Sequence, residues 1–111
     1  MSYSVIPIDS FKKEAKRLVK KFPSLKNELD HLNTLLIHDP TTGKSLGNNT
    51  YKLRLAVKSK GKGKSGGARV ITYVVTEEKE VYLLTIYDKS ELDAVDDKVL
   101  KKIIKDIKPI T

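Results

Sequence analysis

Lys52 and Arg54 stand two residues apart in an alternating run, Tyr51 to Lys58, and Arg69 follows fifteen residues after Arg54. Cations at that spacing can share one face of a sheet, where fixed ammonium and guanidinium groups favour a pentacoordinate phosphate carrying extra negative charge over its ground state. A lysine in such a field also loses its proton more readily and approaches a general base. Lys52, between Arg54 and Arg69, is the candidate for that role.

These residues belong to a wider charge asymmetry. From Pro40 to Thr76 there is no Asp or Glu, while Lys44, Lys52, Arg54, Lys58, Lys60, Lys62, Lys64 and Arg69 supply eight cations. The net charge is +8, so this segment holds the entire excess; the other fourteen of the 22 Lys and Arg balance the 14 Asp and Glu. A concentrated positive region favours a polyanion, with nucleic acid as the commonest class. Five phosphate contacts on a single strand give a log-log salt slope near about −3.5.

The glycine-lysine stretch Ser59 to Gly67 imitates nucleotide-binding loops, but its context excludes them. A P-loop needs a glycine five residues ahead of each GK glycine, where this chain has His38 and Lys58. Gly61, Gly63 and Gly66 fit G-x-G-x-x-G, yet they join strand to strand, whereas the dinucleotide motif joins strand to helix. The loop reads as a cationic hairpin tip, with Lys58, Lys60, Lys62 and Lys64 as candidate RNA contacts. With no cysteine in the chain, disulfides and thiolate zinc sites are excluded, and His31 and His38, seven apart on one helix with no third histidine, read as solvated side chains and not as a metal site. No metal and no cofactor is expected.

The elements that must position these residues follow from periodicity. Tyr3 to Ile8 reads as a short strand that Pro7 assigns to an edge or strand end. Asp9 or Ser10 can cap a helix in which Phe11, Ala15, Leu18, Val19 and Phe22 form one stripe, stopped by Pro23. Ser24 opens a second helix with Leu25, Leu29, Leu32 and Leu36 on its stripe, ended by Asp39-Pro40. So short a connection makes the two an αα-hairpin.

From Thr50 the period falls to two: Tyr51, Leu53, Leu55 and Val57 alternate with Lys52, Arg54, Ala56 and Lys58. Arg69 to Thr76 and Val81 to Asp88 are apolar on both faces and belong mid-sheet, joined by a turn at Glu77 to Glu80. Asp96 and Asp97 open a last helix with Leu100, Ile103, Ile104 and Ile107 on one stripe. The expected fold is α+β, one domain over residues 1–111, in the order β-α-α-β-β-β-α. The hairpin covers one face of a mainly antiparallel sheet. The last helix, about 18 Å long for a dozen residues, leaves the Lys52/Arg54 part of the other face open. Tyr51, Tyr73 and Tyr82 are core or sheet-face residues, while Tyr87 shares a face with Thr85 and Lys89 beside the last helix.

The segments FKKEAKRLVKKFPSLKNELDHL, GNNTYKLRLAVKSKGKGKSGGARVITYV and VYLLTIYDKSE resemble the RelE/ParE superfamily of bacterial type II toxins, especially its HigB-like members. The resemblance runs over nearly the whole chain and implies the same sheet and helical hairpin. For ribonuclease members it implies metal-independent mRNA cleavage in the ribosomal A site, where a 2′-OH attacks the adjacent phosphate. Lys52 and Arg54 match the basic strand pair, Arg69 the arginine that binds the scissile phosphate, and Lys89 the basic residue after the last strand.

The chain departs from RelE at Ser90, where a further arginine is expected, and at Val95 and Asp96, where a tyrosine is expected. Tyr87 and Lys89 are therefore the two candidates for proton transfer to the leaving 5′-oxygen. The expected function is a ribosome-dependent endoribonuclease toxin neutralised by a cognate antitoxin, with ribosome and mRNA as its other partners. The alternatives are a ParE-like gyrase poison without nuclease activity and a plain basic nucleic-acid-binding module. MSYSVIPIDSF lacks the features of a secretion signal, and the longest apolar run, around Val81 to Tyr87, is too short for a bilayer, so a cytoplasmic protein without membrane contact is expected.

Overall fold

Four of the five strands in this sheet pair with a sequence neighbour, and the exception is the N-terminal one. In the computed structural model, which describes residues 2–58, 67–92 and 94–107, the elements are β1 (Ser4–Pro7), α1 (Asp9–Lys21), α2 (Leu25–His38), β2 (Lys44–Gly47), β3 (Thr50–Leu55), β4 (Ala68–Val75), β5 (Glu80–Asp88) and α3 (Asp97–Ile107). The spatial order is β1-β5-β4-β3-β2, with β1 parallel to β5 and the other pairs antiparallel. The fold is α+β, and Pro7, which has no N–H to donate, sits on an edge strand as expected.

One strand was not expected. β2 forms a hairpin with β3 across Asn48 and Asn49, whose φ values of 52° and 62° lie in the left-handed region that Asn tolerates and that tight hairpin turns require. All four β2 residues are exposed, so no apolar alternation marks the strand in the sequence. The order is thus β-α-α-β-β-β-β-α. A second difference lies at the start of α1. Neither Asp9 nor Ser10 caps it, because the helix begins at Asp9 with Ile8 in the cap position. Ser10 Oγ instead donates to the Leu84 carbonyl at 2.7 Å and ties α1 to β5.

The larger core lies between the helical hairpin and the sheet. Phe11, Leu18, Leu25, Leu32 and Leu36 from the two helices meet Leu53, Leu55, Val70, Val74, Val81 and Ile86, each buried. A second cluster lies on the opposite face, where Leu100, Ile103, Ile104 and Ile107 of α3 cover Ile71, Leu84 and Tyr87. A register shift lets Leu84 join this cluster: Ile71 opposes Thr85 but Thr72 opposes Leu83, so Leu84 is the extra residue of a bulge. Asp96 caps α3, its Oδ1 accepting from the Lys98 amide at 2.9 Å. Among the described residues no helix is long and apolar enough to cross a membrane.

Candidate nucleic-acid interface

Register places the candidate cations on one face. Arg54 pairs with Arg69, and Arg69 with Tyr87, forming a row across β3, β4 and β5. Two residues along, Lys44 pairs with Lys52, Lys52 with Ile71, and Ile71 with Thr85. Cross-strand partners share a face with Cα atoms about 5 Å apart, so Lys44, Lys52, Arg54 and Arg69 lie together on one face of the sheet. It is the face opposite the helical hairpin, since Leu53 and Leu55 between these cations point into the larger core.

Exposure drops sharply along the row after Arg54. Arg54 is open to solvent, Arg69 is only 4% exposed, and Tyr87 is 6% exposed beneath Leu100. The face expected to be open is therefore open at Arg54, half-buried at Lys52 and closed at Arg69. The reason is that β4 is central, flanked by β3 and β5, while α3 packs over the neighbouring Ile71 and Tyr87. Arg69 Nη1 donates to the Ala68 carbonyl at 3.2 Å, which holds the guanidinium close to its own strand.

Lys89 lies just past β5, half-buried, and its amide donates to the Gly67 carbonyl at 3.0 Å, two residues ahead of Arg69. Lys58 is exposed after β3; Lys60, Lys62 and Lys64 lie outside the described residues. Lys44 is the cation that the sequence reading left out of the site. It belongs to the carboxylate-free segment, and its place opposite Lys52 is set by the Asn48-Asn49 hairpin, the one signal that could have revealed it.

A groove of about 490 Å³ runs along β3 beside α2, with Leu32, Leu35, Leu53 and Leu55 as its apolar lining and Lys44, Lys52 and Arg54 along its border. It exists because β2 pairs with only the first part of β3: the ladder ends at Lys44–Lys52, leaving Leu53 to Leu55 without a strand on that side. His31 and His38 are exposed on α2, and among the described residues no three His, Cys, Asp or Glu side chains gather as ligands for a metal ion.

Comparison with solved structures fits this architecture. The free-state structure of an arginine-to-alanine double mutant of E. coli toxin RelE matches with a TM-score of 0.64 at 19% identity, covering 96% of this chain and 99% of that one. The isolated E. coli RelE toxin matches with a TM-score of 0.55 at 21% identity and the same coverage. The fold is that of the RelE toxins. A RelE variant in complex with a peptide of the antitoxin RelB matches over the full length of both chains, at 18% identity and a TM-score of 0.50. No protein-family model matches the chain. Within the RelE-like frame, the row Arg54–Arg69–Tyr87 and the pair Lys44–Lys52 occupy the sheet face on the α3 side.

Proposed function

We propose that this chain is the toxin of a type II toxin–antitoxin pair and a ribosome-dependent endoribonuclease that cleaves mRNA. The observation that carries the reading is the direct cross-strand pairing of Arg54 with Arg69. Like charges placed opposite each other destabilise a sheet, and an anion bridging them relieves that repulsion through charge-assisted hydrogen bonds. A phosphate is the anion whose oxygens suit two guanidiniums.

In the proposed reaction Arg54, joined by Arg69 once α3 is displaced, holds the scissile phosphate, and Lys52 takes the proton of the attacking 2′-OH. The 2′-oxygen–phosphorus bond forms, the bond to the 5′-oxygen breaks, and Lys89 returns a proton to that oxygen. The products are a 2′,3′-cyclic phosphate and a 5′-hydroxyl. Tyr87, beneath Leu100, supports the ladder next to Arg69 and reaches RNA only when α3 is displaced. Lys44 and Lys58, together with Lys60, Lys62 and Lys64, add backbone contacts along the incoming strand.

A cognate antitoxin is the second proposed partner. The net charge of +8 favours an acidic one, and the RelE structure bound to a RelB peptide supplies the precedent. Induced expression should arrest growth and create new mRNA ends inside translated frames, and Arg69→Ala should abolish both. Intact mRNA during arrest, with DNA supercoiling inhibited, would overturn the nuclease reading in favour of a gyrase poison.

A further inference from the structure

The turn after β5 is held from three directions. Within the turn, Asp88 Oδ1 accepts from the Ser90 amide at 3.0 Å and from Ser90 Oγ at 2.8 Å, while the Asp88 carbonyl accepts from the amides of Glu91 and Leu92 at 3.0 and 3.1 Å. At the sheet, the Lys89 amide is bonded to Gly67. The third attachment reaches α1, on the other side of the sheet.

There the Glu91 carboxylate receives Arg17 as a fork, Nη2 to Oε1 at 2.9 Å and Nη1 to Oε2 at 3.3 Å. Lys21 Nζ adds a contact at 3.6 Å, and Glu14 accepts from Arg17 Nε at 3.2 Å, which orients the guanidinium. Single exposed ion pairs contribute little, but a bidentate arginine within a network of four charges is the case where geometry counts. The hydrogen bond to Arg17 lowers the Glu91 pKa from its ordinary value, and the same bond, with that to Glu14, raises that of Arg17. Lys21 is itself placed over the Phe22 ring, 5.3 Å from its centroid.

We propose that the Arg17–Glu91 fork is a positioning device that fixes Lys89 relative to Arg69. Lys89 lies between two anchors: Gly67, which leads into Arg69, and Glu91, which is tied to α1. Neither Arg17 nor Glu91 touches RNA in this scheme; they act through Lys89, and their catalytic effect rests on the nuclease reading above. Without the fork the Asp88–Ser90 bonds and the Gly67 bond still hold the fold, but the turn pivots about them and the Lys89–Arg69 spacing is no longer set.

The test uses the full chain with Glu91→Gln, Arg17→Gln and the exchanged pair Arg17→Glu/Glu91→Arg. Amide hydrogen exchange reads the turn directly. Both single variants should speed exchange at Lys89, Glu91 and Leu92 by about two- to fivefold while Val70 to Val74 keep their protection, and the exchanged pair should largely restore it. Unchanged exchange in both single variants overturns the proposal. On mRNA-loaded ribosomes kcat should fall by a similar factor with KM within about twofold. A lower Tm with kcat of the folded protein unchanged also overturns it, because that is the signature of a merely structural pair. Should the wild-type protein leave mRNA intact while the exchange pattern appears as stated, the fork's hold on the turn stands and the nuclease reading falls.

Discussion

Arg54 on β3 and Arg69 on β4 are direct cross-strand partners, one open to solvent and the other 4% exposed. The pair combines an accessible guanidinium with an immobilised one. Like charges directly opposite each other are unfavourable on a sheet, and an anion that spans both relieves them. Arg54→Gln is therefore expected to stabilise the protein by about 0.2–1 kcal/mol in urea unfolding while slowing mRNA cleavage at least about tenfold. Loss of stability in this variant would show that the two arginines do not oppose each other energetically.

Lys44 faces Lys52 from the edge strand and is exposed. If RNA passes along this edge, Lys44→Ala removes one phosphate contact and makes the log-log salt dependence of binding to single-stranded RNA shallower by about 0.7. The cleavage step itself should change little, because Lys44 is not among the groups moving protons. A salt dependence identical to wild type would place the RNA path elsewhere.

Leu100 is the buried anchor of α3 and packs against the sheet with Ile71, Leu84 and Tyr87. Leu100→Ala should cost about 2–5 kcal/mol, as truncations of buried leucine do, and should expose Tyr87 to solvent. Leu36→Ala, on the other face, removes the same atoms from a fully buried site and is expected to cost a similar amount while leaving Tyr87 covered. Denaturant titration gives the energies, and solvent accessibility of Tyr87 by NMR separates the two variants.

Tyr82 carries a titration signal of its own. Burial first, and then the hydrogen bond its hydroxyl donates to Glu80 at 2.8 Å, push its pKa up to about 12. For a group whose pKa is raised on folding, the associated stability is complete below the unfolded value near about 10 and is lost as pH rises through the folded one. Spectrophotometric titration should find this tyrosine ionising above the ordinary tyrosine value, and Glu80→Gln should bring it down. Titration of Tyr82 near the ordinary tyrosine value would contradict the half-buried, hydrogen-bonded geometry.

The sequence made the helices and the polarity of β3 readable because both depend on local periodicity. Phe11, Leu18, Leu25, Leu32, Leu36 and Leu100 fall on helical stripes and are buried where those stripes meet the sheet. The Lys52/Arg54 alternation with Leu53 and Leu55 likewise defines two faces before any partner strand is known. Features that depend on distant partners were not readable. β2 has no apolar face, so only its Asn-Asn turn announces it, and Ser10 gives up a capping role for a carbonyl 74 residues away. The burial of Arg69 depends on where α3 comes to rest, and the Leu84 bulge on how β5 meets β4; neither is written in a local pattern.

Ser4 at the start of β1 pairs in parallel with Glu80, so the sheet's first and last strands in the chain meet at one edge. Chains emerge from the ribosome N-terminus first, and pairings between distant segments form late. β1 must wait for β5, and the Arg69–Tyr87 rung waits with it. A nascent copy therefore carries its cations before the sheet that arranges them is complete.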